Sequence, residues 1–260
     1  MTGNDEFYTG WEEKAPAGVG SRVRWAVVLL LALAVALGVI LSLAQRTIGV
    51  SVFEWGKVKS FSGILKSQPY PHLLVPRPGA SDGQAAFSSY YLVKPFKFGI
   101  DAETANRLDG SSVSLRGTLI YRGGQTMIEV VAEPIKQADG GEKNLSTAQI
   151  VSPVSLGEQT LIGEIVDSKC YLGVMNPGAL TPHRACAIRC ISGGIPPVLL
   201  VRQSNGPALY LLLVSRDGKP VNKQVLNLVA EPVSITGEVQ RQGDLLILRA
   251  DPAVYRRLKG

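Results

Sequence analysis

Apolar and polar positions along this chain fall into three patterns, and each predicts a different kind of element. Over residues 26–44 the sequence AVVLLLALAVALGVILSLA runs for 19 residues without a charge. A helix rises about 1.5 Å per residue, so such a run crosses most of a bilayer core of roughly 30 Å. Trp25 stands where an interfacial aromatic would. Residues 1–24 have no apolar periodicity and are interrupted by Gly3, Gly10, Pro16, Gly18 and Gly20, so a disordered polar tail is expected there. Beyond residue 50 come short β-type runs: VSLRGTLIY at 113–121, TMIEVV at 126–131, LYLLLV at 209–214, VSITGEV at 233–239 and LLILR at 245–249. Glycines and prolines punctuate them.

The apolar run has two readings. Ser42 and Ala44 could form the small-residue cleavage site of a signal peptide. Against cleavage, the preceding tail is long and holds Asp5, Glu6, Glu12 and Glu13, and the apolar core is longer than a signal peptide needs. A retained single-pass helix at 25–45 is the expectation. Lys14, Arg22 and Arg24 before it nearly balance Arg46, Lys57 and Lys59 after it. Arg22 and Arg24 lie closest, which keeps the tail in the cytoplasm and puts residues 46–260 outside.

The β-type runs repeat. FSGIL at 61–65 matches LIGEI at 161–165, YYLV at 90–93 matches LYLL at 209–212, and VSLRGTL at 113–119 matches VSITGEV at 233–239. In each copy a turn at Gly123 or Gly243 then leads into a last strand. A glycine at the centre of a strand suits the coiling by which a small sheet closes on itself. DAETANRL at 101–108 predicts a helix, capped by Asp101 and ended at Gly110, between the third and fourth strands. Residues 222–228 hold that place in the second copy with a weaker helical pattern. Five strands with a helix in that position is the order of an OB-fold barrel.

The chain is therefore expected to be mainly β. A first OB-like barrel spans 51–136, a linker 137–158, and a second OB-like barrel 159–256 with a Cys/His loop and a short helix. The interval from Gly163 to Gly237 exceeds that from Gly63 to Gly117, and the excess falls most simply in that loop.

Charge narrows the partners. The formal charge is +6, but Lys and Arg are scattered, with no block of five or more, which argues against nucleic acid. The sequence has no P-loop, dinucleotide-binding fingerprint or HExxH motif. His72, between prolines in QPYPHLLVP, reads as a loop residue and not a ligand.

Candidate chemistry is concentrated in residues 167–197, DSKCYLGVMNPGALTPHRACAIRCISGGIPP, which hold all three cysteines and one of the two histidines. Thr181 and Pro182 can start a helix, and Gly193-Gly194 with Pro196-Pro197 can end it. On that helix His183, Cys186 and Cys190 share a face, and Cys170 arrives from the preceding strand. Three readings follow. A disulfide from Cys170 to Cys186 or Cys190 would contribute about 3 kcal/mol through loop-closure entropy and leave one thiol over. A metal held by Cys170, His183, Cys186 and Cys190 would be a Cys3His zinc set. Met175 would incline it to copper(I). An iron–sulfur centre fits less well, since the usual close cysteine spacings are missing. A thiol enzyme would use Cys186 near His183, Arg184 and Arg189, with Asp167 nearby. No nucleophile elbow accompanies it, and no catalytic residue can be assigned.

This stretch, with Asp167, Cys170, Tyr171, His183, Cys186, Ala187, Cys190 and Gly193 to Pro197 in the pattern DxxCY…HxxCAxxCIxGGIPP, resembles a segment of uncharacterised bacterial proteins. The resemblance covers about 30 residues. It implies a bacterial source and a short β-rich domain around the motif. The barrels would then lie in the periplasm or outside the cytoplasmic membrane. The role that best fits is an accessory or scaffold subunit of a membrane-associated, redox-linked assembly, with a membrane-protein partner. A thiol- or metal-dependent periplasmic enzyme and an OB-fold ligand-binding module with Tyr90 and Tyr91 on its face are the alternatives.

Overall fold

The computed structural model of the chain describes residues 16–45, 50–77, 87–138, 153–203 and 207–258. It divides into two units, Met1–Gly49 and Val50–Gly260. In the first, helix α1 (Ala17–Gln45) contains the whole apolar run, with a mean hydropathy of 3.0 over its best window. It is long and apolar enough to cross a membrane. The helix starts earlier than residue 25. Gly20 N–H donates to Pro16 O at 2.9 Å, closing a first turn that proline's fixed φ favours. Residues 17–24 are thus helical, while the rest of the expected disordered tail, 1–15, lies outside the described residues.

The second unit holds two barrels. The first runs β1 (Ser51–Phe53), β2 (Lys59–Lys66), β3 (His72–Pro76), β4 (Phe87–Val93), α2 (Ala102–Arg107), β5 (Ser112–Arg122) and β6 (Gln125–Gln137). β2 pairs antiparallel with β3 and β5, β3 with β4, and β5 with β6, while β4 runs parallel to β6 and closes the ring. The second runs β7 (Val154–Asp167), α3 (Arg184–Ser192), β8 (Pro197–Val201), β9 (Leu209–Val214), β10 (Pro232–Gln242) and β11 (Leu245–Arg249), with the short β12 (Arg256–Arg257) added on β10. Its ladders repeat those of the first, including the parallel pair β9–β11. This is the closed five-strand OB arrangement.

Helix α2 forms as its sequence predicts: Asp101 Oδ1 accepts the Thr104 N–H at 3.0 Å. In the second barrel the same place holds only the 3-10 turn Leu226–Leu228. β6 ends at Gln137 and β7 begins at Val154, and most of the expected linker, 139–152, lies outside the described residues.

The internal repeat can be checked against the ladders. Gly63 pairs with Val113 and Gly163 with Val233; Lys59 pairs with Gly117 and Gln159 with Gly237. Those matches coincide residue for residue. The YYLV match does not. Val93 bridges Gly99 and Val214 bridges Pro220, so residues 90–93 correspond to 211–214, two positions later than the sequence suggested. An unbroken apolar run such as LYLLLV has no polar landmark to fix its register. The extra length falls where expected: Ile64 pairs with Leu74, but its counterpart Glu164 pairs with Leu200, beyond the whole cysteine loop.

The paired glycines have one physical reason. A Cβ on Gly63 would lie 2.3 Å from Leu74 O, and one on Gly163 would lie 2.6 Å from Leu200 O. The first strand of each barrel passes too close to the second for any side chain at that point.

Among the described residues three large apolar cores stand out. Leu65, Leu92, Val113 and Ile128 fill the first barrel. Ile165, Leu199, Leu211, Leu213 and Leu248 fill the second. The third lies between them, where Tyr70, Tyr91, Val93, Ile120 and Met127 meet Val166, Val198, Leu200, Leu212, Val214 and Ile247. Adjacent strand residues thus feed different cores, and both faces are buried, which is why these strands read as continuous apolar runs. Tyr70 fixes the docking: its hydroxyl donates to Leu213 O at 3.2 Å and accepts from Val221 N–H at 3.1 Å.

Candidate metal centre

The cysteine loop joins β7 to β8 and sits against the shared core. β7 ends at Asp167, and Asp167, Ser168 and Lys169 are all buried. Asp167 Oδ1 accepts the Cys170 N–H at 2.8 Å and starts a single π turn, Cys170–Val174. The chain then passes the 3-10 turn Thr181–His183 into α3. Thr181 makes no side-chain cap, so Pro182 and the 3-10 turn start the helix without one. At its other end α3 stops at the two glycines, as expected. Gly194 takes a φ of 100°, and Asn222 Nδ2 binds the carbonyls of Ile191 and Ile195 at 2.8 and 2.9 Å. Arg184 pairs with Glu231, and the Leu180 N–H donates to the buried Glu164, which Arg202 Nη1 also meets at 2.8 Å, so the loop is tied to its own barrel at both places.

This framework brings the four sequence-derived ligands together. The ligand atoms of Cys170, His183 and Cys186 lie within 4.8 Å of one another, and so do those of Asp167, Cys170 and Cys190. Cys170 Sγ is 3.9 Å from Cys190 Sγ. A disulfide needs about 2.05 Å, and all three cysteines are free thiols, so the expected disulfide is not present. Cys170 and Cys190 are buried and Cys186 is half-buried. Met175 is exposed, which removes its support for copper.

In the sequence Asp167 is marked only by its nearness to Cys170. Its Oδ2 lies 3.0 Å from His183 Nε2 and accepts the N–H of that nitrogen, so a ligand bond from this ring would have to come from Nδ1. One buried carboxylate therefore orients the histidine ring and anchors the backbone of Cys170.

Three groups escaped the sequence reading. Lys97, on the turn after β4 of the first barrel, places Nζ 2.8 Å from Cys186 Sγ and 3.9 Å from Cys190 Sγ. That hydrogen bond to Cys186 raises the Lys97 pKa. Lys169 is 1% exposed, and all three of its donors are used: Glu129 Oε2 at 2.5 Å, Lys94 O and Phe96 O each at 2.8 Å. Glu129 belongs to β6, so the pair joins the barrels. No local pattern marks Lys97, because its partners lie in the other repeat. Lys169 had a signal, being a charge wedged between the apolar end of β7 and the apolar turn after it.

Within the cluster, the hydrogen bond to Cys190, burial and the Asp167 charge push the Cys170 thiol up. The bond from Cys170 pulls Cys190 down, with help from Lys97. Two other residues differ from expectation. His72 lies at the start of β3, buried, with Nδ1 2.8 Å from Tyr70 O, so it is a core residue and not part of a loop. Tyr91 is buried in the shared core and cannot serve as an exposed stacking face.

The fold and site together define a two-barrel protein with an apolar N-terminal helix and a thiol–imidazole cluster at the barrel interface. No family model and no curated protein matches the chain. Among solved structures, the single-stranded DNA binding protein from Thermus aquaticus is similar at a TM-score of 0.24 and 14% identity, over 82% of this chain and 88% of that one. The barrel assignment rests on the strand ladders, not on that loose superposition.

Proposed function

We propose that this chain is a membrane-anchored accessory subunit, with both barrels outside the cytoplasmic membrane of a bacterium, and that Cys170, His183, Cys186 and Cys190 hold one structural zinc ion. The reading is carried by the meeting of these side chains at Cys170, which lies with His183 and Cys186 in one group of ligand atoms and with Cys190 and Asp167 in another. Zinc–sulfur bonds of about 2.3 Å at tetrahedral angles put two sulfurs about 3.8 Å apart, close to the 3.9 Å between Cys170 and Cys190. A carboxylate on the far nitrogen of a ligating histidine is the usual support for such a site, and Asp167, on Nε2, would be that support for ligation through Nδ1. Four protein ligands close the coordination sphere, which suits a structural ion better than a catalytic one. Helix α1 supplies the anchor, and Arg22 and Arg24 favour a cytoplasmic tail. An assembly role follows from a site that stiffens a loop and leaves no open coordination position.

The test is metal analysis of the full chain purified from membranes under reducing, chelator-free conditions. About one zinc per chain is expected, with Cys170→Ser and His183→Ala lowering it at least tenfold. A metal-free chain with three titratable thiols would overturn the metal reading. Labelling of a C-terminal tag on intact cells tests the topology, and a label reachable only from the cytoplasm would reverse it.

A nucleophilic thiol has one specific observation in its favour, the Lys97 ammonium 2.8 Å from the half-buried Cys186 sulfur. It predicts selective alkylation of Cys186 in the chain as isolated. The zinc reading predicts alkylation only after chelation.

A further inference from the structure

All four proposed ligands belong to the second barrel, yet the first barrel covers them. The turn at residues 93–99 follows β4 and touches the cysteine loop through named hydrogen bonds. Gly99 N–H donates to Gly193 O at 2.9 Å. A Cβ on Gly193 would lie 2.0 Å from Lys97 O, so the helix-ending glycine pair is also the seat on which this turn rests. Lys169, one residue before Cys170, holds the same turn from the other side through the carbonyls of Lys94 and Phe96, and Glu129 neutralises it. The result is that Lys97 Nζ projects onto the sulfurs of Cys186 and Cys190.

Charge explains why that is useful. Three thiolates and a neutral imidazole around a divalent cation carry a net charge of −1, and the Asp167 carboxylate beside them makes it −2, by formal count of the groups in contact. A buried net charge is costly unless it is paired. Among the described residues, Lys97 is the cation placed against the thiols, and it comes from the other barrel.

Building on the zinc reading, the geometry points to a metal site completed across the barrel interface: docking of the first barrel delivers Lys97 as the counter-cation, Glu129 and Lys169 position it, and metal affinity and barrel docking are coupled. Coupling between binding equilibria is reciprocal. Whatever factor docking adds to zinc affinity, zinc must add to docking.

The experiment uses the full chain in detergent, with zinc titrated against a chromophoric chelator and cobalt(II) as a spectroscopic probe of thiolate coordination. Lys97→Met keeps every ligand and should weaken zinc about tenfold or more. Lys97→Arg should restore most of the affinity. The double variant Glu129→Gln with Lys169→Met, which removes both charges of the buried pair, should weaken zinc and shift the cobalt–thiolate band, although it touches no ligand. Arg77→Met is the control. It breaks another contact between the barrels, Arg77 Nη2 to Asp244 Oδ2 at 3.0 Å, away from the cluster, and should leave zinc affinity within about twofold. Zinc should slow hydrogen exchange of the Gly99 amide in the wild type and much less in Lys97→Met. Wild-type zinc binding with an unchanged affinity in Lys97→Met overturns the coupling and leaves the zinc site standing. Equal losses in Arg77→Met and Lys97→Met would reduce the effect to general docking and overturn the role of Lys97. A wild type that binds no zinc sinks both readings.

Discussion

Lys169 and Glu129 form an ion pair with almost no solvent contact, at 1% and 5% side-chain exposure. Such a pair tolerates the loss of both charges far better than the loss of one. Lys169→Met alone should destabilise the chain by about 3–5 kcal/mol, because it leaves Glu129 buried and unpaired. Adding Glu129→Gln should recover a large part of that, and urea unfolding of the two variants measures it. His72 gives a pH prediction. Burial holds its pKa below the ordinary 6.5, despite the Tyr70 carbonyl that favours the charged form. The unfolded chain takes up a proton as pH falls through about 6.5, and the folded chain does so only at lower pH. The contribution is complete above that pH and is lost progressively below it. Stability should therefore drop as pH falls below about 6.5, and His72→Gln should flatten that slope. An unchanged slope in the variant would rule His72 out as its source.

At the level of elements, the glycines at the strand crossings are the informative positions. Gly63→Ala and Gly163→Ala each put a methyl group within 2.6 Å of a neighbouring carbonyl, and each should cost about 1–3 kcal/mol through backbone displacement. Calorimetry on the two variants should give similar losses, since the two sites are the same place in the repeat. Helix α2 and its Asp101 cap, the glycine stop of α3 and most strands were legible because local signals decide them: a cap three residues from its amide, a glycine after the last apolar residue, a short apolar run bounded by turn residues. The start of α1 was not, since glycines near a helix end penalise it only weakly once a long apolar run has nucleated the helix. The register of LYLLLV was not legible either. With both faces buried, a shift of two residues costs nothing in hydrophobic pattern, and only the partner strand selects it.

At the level of the whole molecule, the barrels share a core and should not melt independently. Tyr70 belongs to the first barrel but bonds the backbone of the second at Leu213 and Val221. Tyr70→Phe leaves the buried Val221 amide without its acceptor and should cost about 1–3 kcal/mol. The loss should appear equally in the fluorescence of Trp55 in the first barrel and in amide exchange within β9 of the second. Two separated transitions in the wild type would refute the shared core.

The sequence by itself determined the periodic features: a long uncharged apolar run, two copies of a five-strand pattern, and a short helix that carries Cys186 and Cys190 one turn apart. These follow from interactions between residues close in the chain, where spacing alone places side chains on a face. Tertiary structure decided the rest. It set Cys170 at 3.9 Å from Cys190 as a free thiol, although the spacing allowed a bridge. It made Asp167 the partner of His183, and it brought Lys97 from the other repeat onto the sulfurs. The reason is physical: a lysine and a thiol separated by some 90 positions leave no periodic trace in either segment, and only the burial of the core between the barrels brings them into contact.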